Sequence, residues 1–77
     1  MKGLSMAKFK RGDRVRVVRC VATLRKFNGA EGKITQVDRS NRTPYHVTFT
    51  EPVQEVAGGV PIDWADHWFL ARELDAI

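Results

Sequence analysis

Three side chains in this sequence have the chemistry of nucleophiles, bases or metal ligands: Cys20, His46 and His67. A thiol beside an imidazole is the smallest nucleophile–base pair. Nothing local brings these three together, and they lack the tight ligand spacing of a zinc site. Cys20 falls where a first strand should end, a position that suits a small buried hydrophobe. His46 falls on the outward side of an alternating strand, which suits a binding surface better than a ligand set. Asp63 and Asp66 stand three apart among turn-like residues, with nothing nearby to separate their pKa values into an acid and a base. No glycine-rich phosphate loop precedes a helix. The residues therefore predict no catalytic site, no metal, no cofactor and no small-molecule substrate.

The cations carry more information. Formal net charge is +4, but residues 1–42 hold twelve of the thirteen Lys and Arg against three of the nine Asp and Glu, a local +9. Residues 43–77 hold Arg72 against Glu51, Glu55, Asp63, Asp66, Glu73 and Asp75, a local −5. Such asymmetry focuses a field over one part of a surface. Lys8, Lys10 and Arg11 precede the first strand, and Arg14 and Arg16 lie on its outer side. Arg25, Lys26, Lys33, Arg39 and Arg42 lie in loops or at strand starts. The arginine fork matches phosphate geometry, so Lys10, Arg11, Arg14, Arg16, Arg25, Lys26, Lys33, Arg39 and Arg42 form the expected nucleic-acid-binding set. Among the aromatics, Phe49, Tyr45 and one of Trp68 or Phe69 are expected in the core. Phe27, beside Arg25 and Lys26, either stacks on a base or anchors its loop. Trp64 is either an exposed interface anchor or a cover for one end of the fold. Phe27, His46 and Trp64 make the expected protein-interface set.

Period-2 patterns define the elements that must position these groups. Gly12-Asp13 is a turn, followed by a strand over about Arg14 to Cys20 in which Val15 and Val17 alternate with Arg14 and Arg16. Val18 breaks the alternation and marks a bulge or a strand end. Residues Val21 to Asn28 read as a loop. A second strand runs from about Gly32 to Asp38, with Ile34 and Val37 inward and Lys33 and Thr35 outward. Asp38 to Thr43 is a polar hairpin connection. Tyr45, Val47 and Phe49 alternate with His46, Thr48 and Thr50 in the third strand. Glu51 to Asp66, with Pro52, Gly58-Gly59 and Pro61, reads as a long irregular loop with room for a short strand at Val53–Ala57. A fourth strand over Asp66 to Leu70, a 3₁₀ turn over Ala71-Arg72-Glu73 and a last strand over Leu74–Ile77 pairing back to the first complete the chain. Seventy-seven residues make one domain, expected over residues 9–77 behind a flexible tail over 1–8 in which Met6 is a possible second start.

Two glycine-anchored runs, Gly12-Asp13-Arg14-Val15-Arg16-Val17 and Phe27 through Gly29-Ala30-Glu31-Gly32-Lys33-Ile34 to Asp38, resemble the KOW motif of ribosomal proteins and NusG-type transcription elongation factors. The resemblance covers about 25–30 residues. It implies contact with RNA, DNA or polymerase through Arg25, Lys26, Lys33, Arg39 and Arg42. The whole-chain layout is also similar to the SH3-like barrel protein of photosystem I and to the variable chain of ferredoxin–thioredoxin reductase. Those are short SH3-like barrels that share the Gly-x-x-Val-x-Val opening, a Val-x-Phe strand (Val47-Thr48-Phe49) and a closing Phe69 to Glu73-Leu74. That similarity implies a barrel that docks proteins and does no chemistry, although residues 51–66 depart from both families. The type II dihydrofolate reductases share the Gly-Asp-Arg-Val-Arg opening, but their Val-Gln-Ile-Tyr pore segment has no counterpart here.

The expected fold is thus all-β, a five-stranded SH3-like barrel with a long loop before strand four and a 3₁₀ turn before the last strand. The expected function is a non-enzymatic, KOW-like accessory module that contacts nucleic acid or a nucleoprotein complex such as the ribosome or RNA polymerase. The alternative is a protein-docking barrel that uses residues 51–66 and Trp64. One cysteine and no apolar run long enough to span a bilayer point to a cytoplasmic protein with no membrane partner.

Overall fold

Valines at alternate positions of one short segment create the first strand: in Arg14–Val17 (β1), Val15 and Val17 are wholly buried and Arg14 and Arg16 face water. The computed structural model describes residues 9–77, and the tail expected over 1–8 lies outside the described residues. The other strands are Glu31–Val37 (β2), Tyr45–Ala57 (β3), Val60–Phe69 (β4) and Leu74–Ala76 (β5). They form one antiparallel sheet in the order β4-β3-β2-β1-β5. The all-β class, the five strands, the 3₁₀ turn over Ala71–Glu73 and the return of β5 to β1 all match expectation. The sheet is consistent with a small barrel-like fold whose ladder leaves β4 and β5 at its edges.

The first strand ends at Val17, short of Cys20, because the chain turns away there. Val18 N donates to Glu73 O at 2.7 Å and Arg19 takes a φ of 58°. The stretch expected to be a plain loop contains a 3₁₀ helix over Ala22–Phe27. Asn28 ties it back, its Oδ1 accepting from Cys20 N at 2.8 Å and its Nδ2 donating to Cys20 O at 3.0 Å. In β2, Ile34 and Val37 are three apart and in a regular strand would face opposite sides. A bulge at Thr35 absorbs the extra residue, so both turn inward.

The largest correction concerns residues 51–66, which are paired strand and not a long loop. β3 continues to Ala57, and β4 begins at Val60. Gly58 and Gly59 take φ values of 61° and 81°, the left-handed pair that a two-residue hairpin turn requires. Val53, Val56, Val60 and Ile62 supply strand-favouring side chains. Pro52 sits in the register shift between Thr48 and Val53, and Pro61 lies on an edge strand, both positions where a missing N–H is tolerated. The prolines and glycines that suggested irregularity are therefore the parts of a bulged hairpin. This arm lengthens the molecule to 50 Å along one axis against 22 Å along the other two.

One apolar cluster fills the inner face: Phe9, Val15, Val17, Cys20, Phe27, Ile34, Tyr45, Val47, Phe49, Phe69 and Leu74. Phe69 goes in and Trp68 goes out, which settles the choice between them. Phe27 sits at the centre, stacked on Phe49 at 5.4 Å and edge-on to Phe69 at 5.6 Å.

Candidate functional site

The basic residues nearest the N-terminus are held in place by the turn that opens β1. Lys10 N donates to Asp13 Oδ2 at 3.0 Å, and Asp13 N returns a bond to Lys10 O at 3.1 Å. Gly12, at φ 97°, takes the left-handed corner of this turn. Gly12 N then bonds Ile34 O and Ile34 N bonds Asp13 O, which docks the segment against β2. Arg39 arrives from the far end of β2, at a turn set by Asp38. The Asp38 carboxylate accepts from Ser40 N at 3.1 Å and from Ser40 Oγ at 2.6 Å, and these bonds hold its pKa below the ordinary value.

These two segments enclose a cleft of about 380 Å³ lined by Phe9, Lys10, Arg11, Gln36, Val37 and Arg39. Buried Phe9, edge-on to Tyr45 at 5.6 Å, and half-buried Val37 form an apolar floor. Exposed Lys10, Arg11 and Arg39 form a cationic rim. Among the described residues none of the three makes an ion pair with a carboxylate. Two further expected cations, Arg14 and Lys33, sit directly opposite each other on the outer face of β1 and β2.

The remaining expected residues are placed differently. Arg16 is bound to Glu31, with Nη2–Oε2 at 2.7 Å. Lys26 donates to Thr23 O at 2.5 Å, reaches Glu55 at 3.6 Å and lies over the Phe27 and Trp64 rings. Arg25 and Arg42 are exposed, away from this cleft's lining. Phe27, expected at an interface or under a base, is wholly buried and reaches no partner in either role. Trp64 is half-buried, edge-on to Phe27 at 5.6 Å, and its Nε1 donates to Glu55 Oε1 at 2.9 Å. It covers the aromatic core at the base of the arm.

His46 does lie on the outer face, within a network that sequence reading missed. Its Nδ1 is 2.8 Å from Thr35 Oγ1, its Nε2 is 3.5 Å from Asp66 Oδ1, and its ring lies 4.9 Å from that of Trp68. The β2 bulge and the β3–β4 register bring these residues together, and neither is visible as a motif. Cys20 is buried beside Glu73, and its thiol pKa is pushed up to about 11, first by burial and then by the Glu73 charge. A thiol so held stays protonated at neutral pH and is a poor nucleophile. His67 packs between Phe27 at 4.8 Å and Trp64 at 5.7 Å. Burial and the Lys26 charge lower its pKa. No helix among the described residues is long and apolar enough to cross a membrane.

No protein-family model matches this chain, and a search of curated proteins finds no match. The functional reading rests on the chain's own chemistry.

Proposed function

We propose that this chain is a non-enzymatic binding module, an SH3-like barrel with a KOW-like segment, that contacts nucleic acid alone or within a nucleoprotein complex such as the ribosome or RNA polymerase in a cytoplasm. The observation that carries this reading is the cleft in which Lys10, Arg11 and Arg39 stand above an apolar floor, without carboxylate partners among the described residues. Cations free of internal ion pairs can exchange condensed counterions for phosphate contacts, which gives affinity with little sequence choice. Arg14 and Lys33 extend the same chemistry onto the sheet. Arg16 and Lys26 fall out of the binding set because carboxylates already hold them.

The test is fluorescence anisotropy with short labelled RNA and DNA, single- and double-stranded, across a salt series. Affinity should fall steeply with salt, with a log–log slope of about −0.7 per phosphate contacted on a single strand and about −0.9 on a duplex. Lys10→Glu with Arg39→Glu should weaken binding by at least about tenfold and flatten that slope. Arg16→Glu should do neither. No binding at low salt, or binding indifferent to the Lys10/Arg39 pair, removes the reading.

A further inference from the structure

The tip of the β3–β4 arm exposes apolar side chains on both faces. Cross-strand pairs share a face, so Glu55/Ile62 and Ala57/Val60 lie on one side and Val56/Pro61 on the other. Val56 is 73% exposed, Val60 61% and Ile62 38%. A two-stranded ribbon is marginal in water without a covering surface, and beyond Trp64 none of these side chains joins the core cluster. β4 is also an edge strand.

Charge says what fits there. Residues 51–66 contain Glu51, Glu55, Asp63 and Asp66 and no Lys or Arg. Glu55 faces Lys26 and Asp66 faces His46, whereas Glu51 and Asp63 have no ion-pair partner among the described residues. Two arms packed on each other would bring like charges together. The matching surface is the cleft with an apolar floor of Phe9 and Val37 and a rim of Lys10, Arg11 and Arg39. One molecule cannot close this contact on itself. Val37 pairs with Tyr45 at the start of β3, and the arm tip follows Ala57 at its end. At about 3.3 Å per residue, the length of β3 separates the two by roughly 40 Å.

We propose that the acidic, apolar arm of one copy docks in the basic cleft of a second copy of this chain. The arm tip covers Phe9 and Val37, and Glu51 and Asp63 face the cationic rim. The joint needs no nucleic acid, and a nucleic acid bound in the cleft would compete with it.

Sedimentation velocity of the full chain without nucleic acid, over a range of concentration and salt, tests this. The wild-type chain should self-associate at low salt and dissociate at high salt. Val60→Ser with Ile62→Ser should weaken self-association by at least about tenfold. The arm variant Glu51→Lys with Asp63→Lys and the cleft variant Lys10→Glu with Arg39→Glu should each be monomeric alone, and an equimolar mixture of the two should associate. Thermal melts show that each variant is folded. A wild-type chain that stays monomeric at low salt overturns the proposal. So do charge variants that associate like wild type, and so does a mixture that fails to associate.

Discussion

Gly32 has no room for a side chain. A Cβ there would press on the Thr48 carbonyl oxygen and stand 2.9 Å from Val47 Cγ1, both on the neighbouring strand. Gly32→Ala is expected to destabilise the fold by about 2–3 kcal/mol through overpacking, read as a lower urea midpoint. His67 ties stability to pH. Its folded pKa lies below the ordinary 6.5, so the unfolded chain binds the proton more readily. Stability from this residue is complete above pH 6.5 and falls as pH drops toward the folded value. Lys26 adds to the depression, while Glu73 and Asp66 oppose it. His67→Phe keeps the ring against Phe27 and is expected to flatten the dependence of the melting temperature on pH below 6.5. Cys20 works in the opposite direction. Its folded pKa lies above the ordinary 9.0, so its contribution is complete below pH 9.0 and disappears as pH climbs toward about 11. A thiol reagent at neutral pH should label Cys20 only when the chain is unfolded.

The arm and the body of the sheet differ in what holds them. The body strands share the apolar cluster, whereas the arm beyond Val53 and Trp64 has its ladder, a diglycine turn and the Glu55 contacts to Trp64 and Lys26. Backbone amides over 54–63 should therefore exchange with solvent well before those of β1 and β2, measured by native-state hydrogen exchange. Trp64 marks the boundary. Trp64→Ala removes a half-buried ring packed on Phe27 and should cost about 2 kcal/mol of stability, less than a fully buried aromatic. If the unfolding midpoint does not move, the ring is not part of the core.

For the whole molecule, charge governs recognition more than stability. The Arg16–Glu31 and Arg19–Asp75 pairs are about half exposed on both sides, and pairs of this kind contribute about 0–1 kcal/mol each. Raising salt should therefore shift the melting temperature little while it weakens nucleic-acid affinity and self-association strongly. A melting temperature that falls in step with affinity would mean that the same charges hold the fold. Charge also organises the molecule lengthwise: the cations of the cleft sit at the start of β3 and an acidic arm stands at its end.

Alternation of valines, tyrosine and phenylalanine with charged and polar residues was sufficient to reveal the body strands, the outward arginines, the last 3₁₀ turn and the all-β class. Each of those is local, because a side chain's face follows from its position in its own strand. The arm was not legible in this way. Pro52, Gly58-Gly59 and Pro61 look the same in a loop and in a bulged hairpin, and only the pairing of Val53 with Trp64 and of Ala57 with Val60 distinguishes the two. The same holds for the basic set. Its residue types are visible in the chain, but which cations are bound by carboxylates depends on partners far away in sequence, such as Glu31 for Arg16 and Glu55 for Lys26. Composition and period determined the strands and the chemistry available on them. Tertiary structure decided which cations share a cleft, that Phe27 is core, and that an acidic arm stands at the opposite end, because those outcomes depend on cross-strand register and long-range contact.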